Sequence, residues 1–156
     1  MNSSRKFFPI AVTALLLAGA GIFGAASAGA SGRPLIAALA ASNEVNSAGA
    51  PVPGDAGATG FAYLTLTQGQ AEICFELAFD NLTTPPSRAH IHRGVVGVNG
   101  PVVATFYETG SPALTKGCVA VLESLVKEIR KNPAGFYVNV HNQTAPAGAV
   151  RGQLMP

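Results

Sequence analysis

The chain has 156 residues, enough for one domain with a single core. Its ten Lys and Arg against eight Asp and Glu look mildly basic, but Arg5 and Lys6 lie in a leader-like segment. Without that segment the count is 8 − 8 = 0, and no basic cluster remains to attract nucleic acid or an anionic membrane surface.

The N-terminal segment reads as an export signal. Arg5 and Lys6 are followed by an apolar run rich in Ala, Leu and Gly from residue 10 to 26. Ala26-Ser27-Ala28 then supplies the small-x-small pattern at which such signals are cut. The expectation is a signal peptide over 1–28 and one domain over 29–156, secreted or periplasmic, with no membrane span in the mature chain. No cysteine directly follows the apolar run, so lipid anchoring is not indicated. In an exported chain the two cysteines, Cys74 and Cys118, are most simply a disulfide.

Residues 29–57 are dominated by Ala, Gly, Pro, Ser and Asn. Within them, 34–41 reads as an edge strand and 49–57, with Pro51 and Pro53, as a loop. Residues 60–67 alternate, placing Ala62, Leu64 and Leu66 on one side. After the tight turn Gln68-Gly69-Gln70, residues 71–80 alternate again, with Ile73, Phe75, Leu77 and Phe79 inward. The two runs predict a hairpin. Cys74 shares its parity with Glu76, which puts the disulfide on the outer face or rim.

Ala89-His90-Ile91-His92-Arg93-Gly94 is the next strand. The i, i+2 spacing turns both imidazoles to one face and Ile91 and Arg93 to the other. Residues 94–101 hold three glycines and the turn signal Asn99-Gly100, and 101–107 is strand-like again. The period then changes: Leu122, Leu125, Val126 and Ile129 fall at i, i+3, i+4 and i+7, one short amphipathic helix stopped by Asn132-Pro133. Phe136 to His141 returns to alternation, with Phe136, Val138 and Val140 toward the core and Tyr137, Asn139 and His141 outward. A Pro/Gly loop leads to a last strand that turns Val150 and Leu154 inward and Arg151 and Gln153 outward. The pattern predicts an all-β fold, an antiparallel β-sandwich or Greek-key barrel with one short helix.

If the strands bearing His90, His92, His141 and Arg151 lie side by side, all three histidines of the chain share a polar face with one arginine. Three neutral imidazoles suit copper or zinc, with copper the more tightly held. The competing reading is a set of hydrogen-bonding residues that fix strand register. Glu72, Glu76, Glu108 and Glu123 show no pairing suited to acid–base hydrolysis.

Several of these motifs together resemble the CHRD (chordin) domain: Glu44-Val45, Ala89-His90-Ile91-His92-Arg93-Gly94 with Asn99-Gly100-Pro101-Val102, and Tyr137-Val138-Asn139-Val140-His141 followed by Arg151-Gly152-Gln153-Leu154. They occur in order across roughly residues 34–154. Two positions depart from the family pattern: Asn46 stands where a proline is usual, and Ala149 where an acidic residue is usual. The resemblance implies an extracytoplasmic β domain that binds a protein partner or serves as a structural module, with the partner unidentified. A weaker local resemblance links the histidines and Arg151 to copper/zinc superoxide dismutases. It implies His90, His92 and His141 as copper ligands and Arg151 as the guide for a small anion, catalytic only if the protein is a redox enzyme. The chain has no further histidine for the zinc half of such a site. The expected function is therefore an exported binding or structural module, with copper the metal its histidines would hold. The alternative is a copper-only oxidoreductase.

Overall fold

The computed structural model describes residues 34–110, 113 and 115–156. The segment expected to be a signal peptide lies outside them. The strands are β1 (Leu35–Ala40), β2 (Thr59–Thr67), β3 (Glu72–Asp80), β4 (Pro86–Arg93), β5 (Val102–Tyr107), β6 (Lys116–Ala120), β7 (Phe136–Asn142) and β8 (Val150–Gln153), with one helix, α1 (Glu123–Lys131). They form a single sheet in the order β5-β4-β7-β8-β1-β2-β3-β6, antiparallel throughout. The sheet curls until its end strands face each other. Phe75 of β3 stacks on Phe106 of β5 with ring centroids 4.2 Å apart, so the structure is a nearly closed barrel.

Alternation explains the core. Ala62, Leu64 and Leu66 of β2 and Ile73, Phe75 and Leu77 of β3 are buried, while Phe61 and Tyr63 are exposed. The hairpin between these strands closes through a 3-10 turn and Ala71 in the left-handed region (φ 50°). Leu125, Val126 and Ile129 of α1 are buried with the strand residues.

Three expectations need correction. β1 is not an edge strand: it pairs with β2 along its whole length and, because β8 returns beside it, with β8 at Ala40, while Leu35, Ala37 and Leu39 point into the core. Leu122 is not on the buried helix face; it caps the N-terminus in extended backbone and is three-quarters exposed. Finally, the outward side of β7 does not face solvent. All seven of its residues are buried, since loops fold over the side that alternation marks as outer.

A strand with no clear sequence signal, β6, is short and contains Gly117, yet it pairs with β3 so that Cys74 and Cys118 are direct cross-strand partners. They form the disulfide (S–S 2.08 Å), with Cys118 exposed and Cys74 half-buried. The bridge therefore lies on the outer face, as its parity indicated.

Candidate metal centre

The three strands that carry the polar residues do lie side by side. In the β4–β7 register Arg88 is opposite His141, His90 opposite Asn139, and His92 opposite Tyr137. On the far side of β7, Asn139 is opposite Arg151 and Tyr137 opposite Gln153. His90, His92, Asn139, His141 and Arg151 are all buried. One nitrogen of each histidine lies within 4.8 Å of one nitrogen of the other two.

Loops roof this face and set the orientation of each ring. The loop from Gly94 to Pro101 brings Gly100 O to 2.9 Å from His92 Nδ1. It can do so because residue 100 is glycine: a Cβ there would collide with Arg93 O. The loop after β7 brings Pro146 O to 3.2 Å from His141 Nδ1. Glu108, just past β5, places Oε1 2.9 Å from His90 Nε2.

These partners assign the tautomers. A carbonyl oxygen only accepts, so Nδ1 of His92 and of His141 carries the proton and Nε2 of each is bare. Glu108 fixes the proton of His90 on Nε2 in the same way, leaving Nδ1 bare. His90 Nδ1 and His141 Nε2 are 3.2 Å apart, and His92 Nε2 is buried with no partner. Two lone pairs thus face each other at a distance that requires a cation, a proton or a metal ion, between them, and a nitrogen of His92 lies within 4.8 Å of both rings' ligand atoms.

The electrostatics keep the rings ready to bind. Burial, reinforced by the charges of His90 and Arg88 and only partly offset by Pro146 O, lowers the His141 pKa to about 4. Burial also lowers that of His92 against its bond to Gly100. The hydrogen bond from His90 holds Glu108 below the ordinary carboxylate value. The lowered values of His92 and His141, whose remote N–H groups are tied to backbone carbonyls, favour the neutral imidazole that a metal ion needs.

Arg151 is in the neighbourhood but not among the ligands. The Tyr137 ring stacks on His92 (centroids 4.8 Å apart, 11° between planes) on its β4 side. Arg151 Cζ lies 3.6 Å from the centre of the same ring, reached from β8. Arg151 Nη2 donates to Val98 O at 2.9 Å. The tyrosine is therefore sandwiched between the histidine and the guanidinium. Arg93, on the opposite parity, leaves this face and pairs with Glu128 of α1 at 2.7 Å. Gln153 spends its amide on the carbonyls of Gly94, Ala134 and Phe136.

Two carboxylates matter that pattern alone did not reveal. Glu108 has no sequence signal beyond its place after β5. Glu44 was legible only as part of the Glu-Val motif. Its side chain is buried beneath Gly148, where a Cβ would collide with the carboxylate, and it accepts from Asn139 Nδ2 at 3.3 Å. Burial raises its pKa to about 7 against the opposing pull of Arg151 and Asn139.

The structure is thus a nearly closed β barrel whose roofed polar face carries a candidate metal centre of three histidines. Residues 35–154 match the model of the CHRD domain, and the chain belongs to that family. No curated protein and no solved structure matches it.

Proposed function

We propose that this CHRD domain is an exported binding module that holds one transition-metal ion, copper in preference to zinc, through His90, His92 and His141. The observation that carries the reading is the tautomer pattern. Each remote nitrogen is committed to an acceptor, and the three bare nitrogens meet in a buried space. His141 turns its Nδ1 to Pro146 O and His90 its Nε2 to Glu108, so the close His90 Nδ1–His141 Nε2 pair needs a shared proton or a metal ion between them. The imidazole set suits copper best by intrinsic affinity. Family membership and the disulfide suggest an extracellular protein. No helix among the described residues is long and apolar enough to cross a membrane.

The oxidoreductase reading is the weaker one. It asks Arg151 to guide an anion to the metal, and the Tyr137 ring separates that guanidinium from His92. Arg151 instead packs the ring against which His92 is set. Membership of the family supports an extracytoplasmic protein as the partner.

The test is metal content after equilibration of the oxidised protein with copper and zinc, beside a variant carrying His90→Ala, His92→Ala and His141→Ala. About one copper per chain, lost in the variant, is the expected result. A folded wild-type protein without stoichiometric metal would return the histidines to a role in sheet register.

A further inference from the structure

We propose that Asn99 is a covalent modification site, an asparagine set to deamidate through Gly100, and that the Tyr137 hydroxyl holds this reaction in check. Asparagine is among the least durable side chains. It is most vulnerable before glycine, where no side chain shields the next backbone nitrogen. Gly100 N, on losing its proton, attacks Asn99 Cγ. An N–Cγ bond forms, the Cγ–Nδ2 bond breaks, and the amide nitrogen leaves as ammonia. Water then opens the five-membered succinimide at one of its two carbonyls, giving aspartate or isoaspartate. Only water is consumed, and nothing is oxidised or reduced.

The fold itself keeps this pair in place. Residue 100 has to be glycine, because a Cβ there would collide with Arg93 O. Asn99 is exposed, so water reaches its side chain. What opposes the reaction is a clamp on both reacting groups. Tyr137 Oη accepts from Gly100 N at 3.2 Å and donates to Asn99 Oδ1 at 3.3 Å. The attacking nitrogen and the amide it must reach are tied to the same oxygen, and both bonds have to be given up before the ring can close. The flanking backbone is held as well. Val98 O accepts from Arg151 Nη2 and Gly100 O from His92 Nδ1, each at 2.9 Å. Tyr137 has no freedom to shift, being fully buried with His92 on one face and the Arg151 guanidinium on the other.

The two products differ in what they do to the roof of the polar face. Aspartate keeps the backbone length and still offers Tyr137 an acceptor. Isoaspartate adds one methylene to the backbone between residues 99 and 100, which moves Gly100 relative to both Tyr137 and His92. The carbonyl that fixes the His92 tautomer is then displaced. The chemistry at Asn99 stands apart from the metal reading, and only this cost to copper binding rests on it.

Peptide mapping with isoaspartate detection, on the oxidised protein aged in warm, mildly alkaline buffer, gives the test. Wild type should deamidate at Asn99 more slowly than a synthetic peptide of residues 96–102, by about fivefold or more, the worth of one hydrogen bond. Tyr137→Phe, which keeps the ring between His92 and Arg151, should recover most of that difference. Asn142, only 1 % exposed, serves as a monitor of general opening in the same digest and should stay intact in both proteins. Equal rates at Asn99 in wild type and Tyr137→Phe, or an acceleration shared by Asn142, would overturn the clamp. If Tyr137→Phe does not fold, a wild-type rate equal to that of the peptide overturns it. Isoaspartate-containing wild type should bind copper about tenfold more weakly, while Asn99→Asp follows wild type. Equal affinity in all three would overturn the cost to the centre, and failure of unaged wild type to bind copper would remove the metal reading while leaving the rates at Asn99 to decide the clamp.

Discussion

At the scale of single residues, the site is governed by groups that touch the histidines from behind. Glu108 is half-exposed, yet it fixes the tautomer of His90. Outer partners of this kind are typically worth 10- to 100-fold in metal affinity. Glu108→Ala should therefore weaken copper binding by about that factor in a competition titration, and Glu108→Gln, which keeps an acceptor, by much less. Equal loss in the two variants would argue against the role. Glu44 and His141 shape the pH dependence of the metal-free protein. The Glu44 pKa rises from 4.5 to about 7 on folding, so its contribution is full below 4.5 and lost as pH rises through 7. The His141 pKa falls from 6.5 to about 4, so its contribution is full above 6.5 and lost as pH falls toward 4. Each shift corresponds to roughly 3 kcal/mol, and between pH 4.5 and 6.5 the two slopes oppose each other. With the lowered His92 acting in the same sense as His141, denaturant unfolding with chelator present should give a wild-type profile that Glu44 flattens in that window. Glu44→Gln should instead lose stability as pH falls, and parallel profiles would show that Glu44 is not the compensating group.

Among the elements, β7 decides the most. Its inner residues Phe136, Val138 and Val140 belong to the hydrophobic core, and its outer residues Tyr137, Asn139 and His141 form the middle row of the polar face. A strand buried on both sides still alternates in polarity here, because the second layer is made of loops and hydrogen bonds. At the other end of the sheet, β6 is held to β3 by five register pairs and the disulfide. Closing a loop of 44 residues constrains the unfolded chain by roughly 4 kcal/mol in the chain-entropy model. Cys74→Ser with Cys118→Ser should lower unfolding stability by up to about that amount. Copper stoichiometry should be unchanged, because β3 and β6 contribute none of the proposed ligands. Loss of copper in a folded double variant would mean that closure of the barrel, and not the β4–β7 register alone, sets the ligand geometry.

For the whole molecule, the barrel core and the roofed polar face are two layers sharing one sheet, and the metal would couple them. The ligands come from β4 and β7, and their outer partners from Glu108, the 94–101 loop and the loop after β7. A cation bound to the native state alone should stabilise the entire fold by about 2.7 kcal/mol at a free concentration of 100 times its Kd. Thermal unfolding should accordingly shift upward with copper in the wild type and stay fixed in the triple-histidine variant. The same shift in both would place the binding elsewhere.

Local pattern was sufficient for much of this. Two-residue alternation set which side of β2, β3, β4 and β7 meets the core, because a strand has no other periodicity available. The same parity put His90 and His92 together, sent Arg93 away, and set Cys74 on the outer face. The change to i, i+3, i+4 spacing identified α1. What pattern could not supply were facts of sheet order and loop closure. β1 became an interior strand only because β8 returns beside it. The outer side of β7 became a second interior only because the 94–101 loop and the loop after β7 close over it. Glu108 met His90, and Tyr137 came between His92 and Arg151, through contacts between residues far apart in sequence. Alternation tells a strand which residues share a face. Whether that face meets water, and which distant carboxylate or carbonyl finishes each histidine, is decided only when the strands are ordered and the loops are packed.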